Sequence, residues 1–185
     1  WIDLPRHDKA GCRGDLLMAH RGVTGPVILN LSRDVVPLLQ KNQGITIRID
    51  FRPDTGRAEW DAMFGRWQSE QGTKNIVNLL AGFFPHSLAE IRVRQAGLPD
   101  DRQAARLNRR ERQALLESLT AMPLTVTGHG GYEVAMVTRG GVSLKEVDPR
   151  TLESKRLAGL YFAGEILDLD GPTGGFNMQW PFSSG

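Results

Sequence analysis

The chain has 185 residues, 40% of them hydrophobic and 24% charged, with a formal net charge of +2. That balance belongs to a soluble globular protein of one domain or two small ones, and the charge is too small to point to a nucleic-acid or membrane partner. No apolar run approaches a bilayer span, and the one cysteine, Cys12, excludes both an internal disulfide and a cysteine-based metal cluster and fits a reducing cytoplasm.

Residues 1–54 read as strands and turns. Two apolar stretches, residues 15–18 and 27–32, flank the turn-rich His20-Arg21-Gly22-Val23-Thr24-Gly25-Pro26. Residues 45–51 alternate apolar and polar, as a half-buried strand does. From residue 57 the period changes. Trp60, Phe64 and Trp67 recur at helical spacing, Ile76, Leu79 and Leu80 form a second stripe, and Leu88, Ile91 and Val93 a third that Gly97 ends. A last helix is expected over about residues 102–121, with Leu115, Leu116 and Leu119 inward. Strand patterns return at 124–127 and 133–138, then Arg139-Gly140-Gly141-Val142 turns the chain into residues 143–147. Residues 160–163 read as a short buried strand, and Asp168-Leu169-Asp170-Gly171-Pro172 as a loop. Gly174-Gly175-Phe176-Asn177 opens a helix in which Pro181 is tolerable only within the first turn.

Chemistry concentrates at that closing stretch. Glu165 stands at the carboxyl edge of a strand, where a carboxylate can hold sugar hydroxyls; Asp168 and Asp170 follow in the loop, as ligands or as Asx turns; and glycines precede a helix start, whose N–H groups attract negative charge. The four histidines, His7, His20, His86 and His129, lack metal-ligand spacing, and no Gly-x-Ser-x-Gly elbow or Cys-x-x-Cys pair is present. His20 reads as a structural residue or a proton donor. Gly140-Gly141-Val142 reads as a close approach to a ligand or as a hairpin turn.

The stretch GLYFAGEILDLDGPTGGFNMQW, residues 159–180, resembles the closing flavin-binding segment of the BaiN-like family of bacterial NAD(P)/FAD-dependent oxidoreductases. Two further blocks resemble that family in the same order. They are GDLLMAHRGVTGPVILNLS, residues 14–32, with Ala19 where Thr is usual and Arg21 where an aromatic is common, and VTRGGVSLKEVDPRTLESK, residues 137–155. The resemblance implies an α+β fold. A β-rich, barrel-like subdomain (1–56 and 124–158) would be split by a helical insert (57–123), with residues 159–185 carrying the closing strand of a Rossmann-type FAD-binding domain.

It also implies FAD as cofactor, a small-molecule substrate and NAD(P)H as a further partner. The cofactor-binding set would be Gly164, Glu165, Asp170, Gly174, Gly175, Phe176, Asn177, Gly140, Gly141 and Val142, with no catalytic residue assigned. The Gly-x-Gly-x-x-Gly fingerprint that seats a pyrophosphate is absent. The chain opens at Trp1 without methionine and closes where the family pattern continues, so the expectation is a piece of a longer flavoprotein with an incomplete flavin site. The competing expectation is a non-enzymatic binding module that uses Arg102, Arg106, Arg109 and Arg110 as one basic helix face.

Overall fold

A computed structural model describes residues 1–4 and 11–184; His7 lies outside them. The chain divides into two compact units, one of residues 1–13 and 46–125, the other of residues 14–45 and 126–185.

The first unit joins a small sheet to a helical core. Strand β1 (Ile2–Asp3) pairs antiparallel with β4 (Ile45–Ile49), which also neighbours β5 (Met122–Val126). Ile45, Ile47 and Ile49 are buried while Thr46 and Arg48 between them are exposed, the alternation that the sequence announced. The core lies among the helices. In α2 (Arg57–Glu70), Trp60, Met63, Phe64 and Trp67 fall three and four residues apart and bury one face. The Trp60 ring stacks on Phe84, 5.9 Å between centroids and 19° between planes. Helices α3 (Ile76–Leu80) and α4 (His86–Gln95) meet around Phe83-Phe84-Pro85, and Gly97 leaves α4 at a positive φ of 77°. Helix α5 (Arg109–Thr120) starts in a capping box. Asn108 accepts from the Glu111 N–H and the Glu111 carboxylate accepts from the Asn108 N–H, both at 3.0 Å. Leu115, Leu116 and Leu119 are buried and Leu88 packs against the core as expected, whereas Ile91 is exposed, off the face that carries Ala89 and Val93 inward.

The second unit differs from the sequence expectation in kind. Strands β2 (Leu17–Ala19) and β3 (Gly22–Thr24) form a short antiparallel hairpin. Residues 27–32, expected as a strand, belong to helix α1 (Pro26–Leu39). Pro26 stands at the first helical position, and the Gly25 carbonyl accepts from the Ile28 and Leu29 N–H groups at 3.0 Å. Val27, Leu31 and Val35 then bury one stripe at four-residue spacing. A six-residue apolar window is too short to separate this stripe from a strand.

Residues 126–185 are mostly turns. The strand expected over 133–138 is a 3₁₀ turn at Tyr132–Val134 followed by open chain, with Tyr132 84% and Met136 76% exposed. Residues 143–147 hold another 3₁₀ turn, Leu144–Glu146. The buried strand expected at 160–163 is exposed and makes one bridge, Tyr161 to Glu153. A strand needs a ladder of partners, and among the described residues these segments meet isolated bridges only. The barrel-like subdomain is therefore not a closed barrel; the described strands form one three-stranded and one two-stranded sheet. Helix α6 (Phe176–Ser184) closes the unit, and Pro181 is its sixth residue, beyond the first turn. Proline has no N–H, so the Asn177 carbonyl loses its helical partner.

Candidate functional site

The second unit gathers the closing motif around one cavity of about 200 Å³, lined by Val137, Thr138, Glu165, Leu169, Asp170, Gly171, Phe176, Asn177 and Trp180. Four residues singled out from sequence, Glu165, Asp170, Phe176 and Asn177, therefore share one wall. Gly164 opens the 3₁₀ turn Gly164–Ile166 that presents Glu165, and the Gly164 N–H donates to the Ser184 hydroxyl at 2.9 Å. Gly174 and Gly175 lead into α6, whose first two N–H groups, on Phe176 and Asn177, donate to no backbone carbonyl among the described residues.

Gly140-Gly141-Val142 is not a hairpin turn. Val142 bridges Leu167 in parallel sense: its N–H donates to the Ile166 carbonyl and its carbonyl accepts from the Asp168 N–H, both at 2.9 Å. Gly141 is demanded by this contact, since a Cβ there would lie 2.3 Å from the Ile166 carbonyl oxygen, at a φ of 140°. Its close approach is to backbone of its own chain. A Cβ on Gly164 or Gly175 would meet nothing within 4 Å. At Gly175, where φ is ordinary, no packing inside the chain asks for glycine.

Three polar features on this wall differ in commitment. The Asn177 side chain is spent on the loop, accepting from the Gly171 N–H at 2.7 Å and donating to the Gly171 carbonyl at 3.1 Å. Asp170 is ion-paired with Arg33 at 3.3 Å and Arg139 at 3.8 Å. Glu165 is exposed and outside every ion pair among the described residues. The Trp180 indole N–H is buried and has no hydrogen-bond partner among the described residues. Sequence reasoning missed Trp180, Val137 and Leu169 on the wall, and Asn30, Arg33 and Arg139 behind it. All of these but Arg33 fall inside the three motif blocks, and that position was the one hint of a role.

The arginine set of the first unit is not one helix face. Arg102 precedes α5 and pairs with Glu111 at 2.9 Å, Arg106 lies in the 3₁₀ turn Ala104–Arg106, and only Arg109 and Arg110 are on the helix. Residues 107–108 break the helical period that the spacing assumed. His20 sits in the exposed β2–β3 turn. Among the described residues no group of three His, Cys, Asp or Glu side chains could hold a metal ion, and no helix is long and apolar enough to cross a membrane.

Residues 2–137 match the family described as HI0933-like protein barrel and H2TH domain. The chain belongs to the HI0933-like family. This is a family of flavoprotein-like, FAD-dependent oxidoreductases, and the BaiN-like resemblance of the three motif blocks is borne out. A ribosomal RNA dihydrouridine synthase of Escherichia coli (strain K12) is 36% identical over 172 residues, 93% of this chain and 40% of that protein. A ribosomal RNA dihydrouridine synthase of Haemophilus influenzae (strain ATCC 51907 / DSM 11121 / KW20 / Rd) is 33% identical over 99% of this chain and 44% of that protein. A 3-dehydro-bile acid delta(4,6)-reductase of Clostridium scindens (strain ATCC 35704 / DSM 5676 / VPI 13733 / 19) is 28% identical over 98% of this chain and 44% of that protein. The chain thus spans less than half the length of these HI0933-like relatives.

The residues on the wall suit one edge of a flavin. Two N–H groups at a helix start that meet no backbone carbonyl, and a carboxylate outside every ion pair, both among the described residues, are donors and an acceptor suited to a polar planar ligand. A cavity of about 200 Å³ is below the roughly 300–1,000 Å³ of complete ligand pockets, so the wall fits an edge and not a whole dinucleotide.

Proposed function

We propose that this chain supplies the flavin-edge wall and the substrate-side cover of an FAD-dependent reductase that saturates a conjugated carbon–carbon double bond. One observation carries the reading: Glu165, Phe176, Asn177 and Trp180 of the closing motif line one cavity. Bound FAD would supply the hydride chemistry. Glu165 would accept hydrogen bonds from ribityl hydroxyls. The Phe176 and Asn177 N–H groups would hold the negative charge that develops at the N1–O2 edge of a reduced flavin, where the helix start adds its partial positive charge. Trp180, Val137 and Leu169 would keep water from the ring. NAD(P)H is the proposed electron source.

The relatives' names give two substrate classes, a uridine of ribosomal RNA and an unsaturated 3-oxo bile acid. Both reactions saturate a carbon–carbon double bond. We take ribosomal uridine as the substrate class, which gives up the expectation that nucleic acid is no partner. The two higher-identity relatives favour it. So do Arg106, Arg109 and Arg110, exposed cations with no ion-pair partner among the described residues.

The test uses the full-length protein. A flavin absorption band after FAD addition, bleached anaerobically by NADH or NADPH and restored by a uridine-containing ribosomal RNA fragment, is the expected result. Restoration by an unsaturated 3-oxo steroid and not by RNA would move the substrate to the second class. A protein that takes up no FAD ends the flavin reading.

A further inference from the structure

We propose that Asp170 is a positioning residue and not a flavin ligand: with Arg33, Arg139 and Asn30 it clamps the loop of residues 170–175 onto helix α1, and so sets where α6 begins beside the cavity. The inference rests on the flavin reading above, and its own evidence is geometric. One Asp170 oxygen lies 3.3 Å from the Arg33 Nη2, the other 3.8 Å from the Arg139 Nε. Arg139 also donates from Nη1 to the Arg33 carbonyl at 2.6 Å, which holds the two guanidinium groups around one carboxylate. Three residues on, the Thr173 N–H donates to the Asn30 Oδ1 at 2.6 Å. Beyond that, Asn177 staples Gly171.

The loop between the cavity-lining carboxylates and α6 is therefore fastened at both ends, and two of its anchors, Asn30 and Arg33, ride on one helix. Helix α1 is a firm base because Val27, Leu31 and Val35 are buried. Side chains held on packed helices place a site more accurately than loop residues do. The Asp170 carboxylate is only 18% exposed and faces two cations, so a neutral ligand hydroxyl competes poorly for it. The carboxylate with room for a ligand is Glu165. Asn30, Arg33 and Arg139 acquire a role toward the cofactor although none of them lines the cavity.

The test is an FAD titration of the full-length protein by flavin fluorescence, for wild type, Asp170→Asn, Arg139→Gln and the double variant. The clamp predicts that each single change raises the FAD dissociation constant about ten-fold, the scale of a lost charge-assisted hydrogen bond. The double variant is then no weaker than either single one, because the two residues act as one unit. The midpoint potential of the bound flavin falls in both, since the helix-start N–H groups no longer hold its reduced form. The melting temperature of the FAD-free protein stays put, and Arg139→Lys restores part of the affinity.

A direct ligand behaves otherwise. Asp170→Asn alone would weaken FAD, Arg139→Gln would leave it unchanged, and the clamp would be overturned. It is equally overturned if all variants bind FAD as wild type does, or if the two effects simply add. Should a variant lose its FAD-free melting transition, Asn30→Ser probes the same loop from its other anchor; unchanged affinity there also sinks the clamp. A wild-type protein that binds no FAD removes the flavin reading itself, an outcome separate from variants that match a flavin-binding wild type.

Discussion

Single residues in the first unit carry charges whose surroundings differ sharply. Arg92 is 3% exposed. Its guanidinium lies 4.9 Å from the Phe51 ring centroid, Nη1 donates to the Met122 sulfur, and Nε has no partner. Burial pulls its pKa down, and among the described residues no carboxylate repays the lost hydration. Arg92→Met should therefore stabilise the chain by about 1 kcal/mol, as apolar replacements of buried charges often do. Thermal melting checks this, and a lower melting temperature would show that the ring contact outweighs desolvation. Asp50 and Asp100 titrate in opposite senses. Burial pushes the Asp50 carboxyl up, so the charged form opposes folding at neutral pH, and Asp50→Asn should raise the urea midpoint at pH 7 but not at pH 3. The amide keeps the acceptor that the Arg52 N–H uses at 2.9 Å. Arg94 holds the Asp100 carboxyl below its ordinary value. Its contribution is present above the usual carboxylate pKa and lost as pH falls through the lowered one. Asp100→Asn should lower the urea midpoint at pH 7, by an amount that shrinks as the pH falls into the acid range.

At the scale of elements, helices with a wide apolar face and a named cap were legible. Trp60, Phe64 and Trp67 announced α2, and Leu115, Leu116 and Leu119 announced α5. The alternation over 45–49 announced β4. The start of α5 is later than expected because Asn108 and Glu111 close the capping box there. Asn108→Ala should cost about 1 kcal/mol of stability, read as a lower denaturation midpoint. Helix α1 was misread as a strand, and its N-cap explains how the chain enters it. Gly25 has a φ of 99°, and a Cβ there would lie 2.7 Å from the Asp15 carbonyl oxygen. Gly25→Ala should destabilise the second unit by about 1–3 kcal/mol through that strain. Circular dichroism with denaturant would register it, and an unchanged midpoint would mean that the hairpin yields freely.

Across the whole molecule the two units differ in how much apolar surface they enclose. The first buries a continuous cluster from Trp60 to Leu119. The second leaves Tyr132, Met136, Tyr161, Phe176, Met178 and Phe182 exposed. Hydrogen exchange should follow this contrast. Amides at Trp60, Val93, Leu115 and Leu119 should exchange slowest, and those over residues 132–138 and 157–163 within the fast regime, because few buried contacts oppose local opening there. Equal protection in both stretches would contradict the exposed state of the second.

Sequence by itself determined the family, the helical core and the motif that lines the cavity. Each is written in local spacing: four-residue apolar stripes, a capping pair, and a run of acids and glycines in fixed order. Tertiary structure alone decided which of those motif residues are free. Asp170 meets Arg33 and Arg139, Asn177 turns back on Gly171, and Gly141 serves a bridge to Ile166, while Glu165 and the Trp180 N–H stay uncommitted. Asp170 and Arg33 stand 137 positions apart in the chain (170 − 33), and only folding brings such groups within reach of one another. Strand identity over 133–138 and 160–163 was likewise beyond local pattern, because a strand exists only when another segment of the chain offers it a ladder.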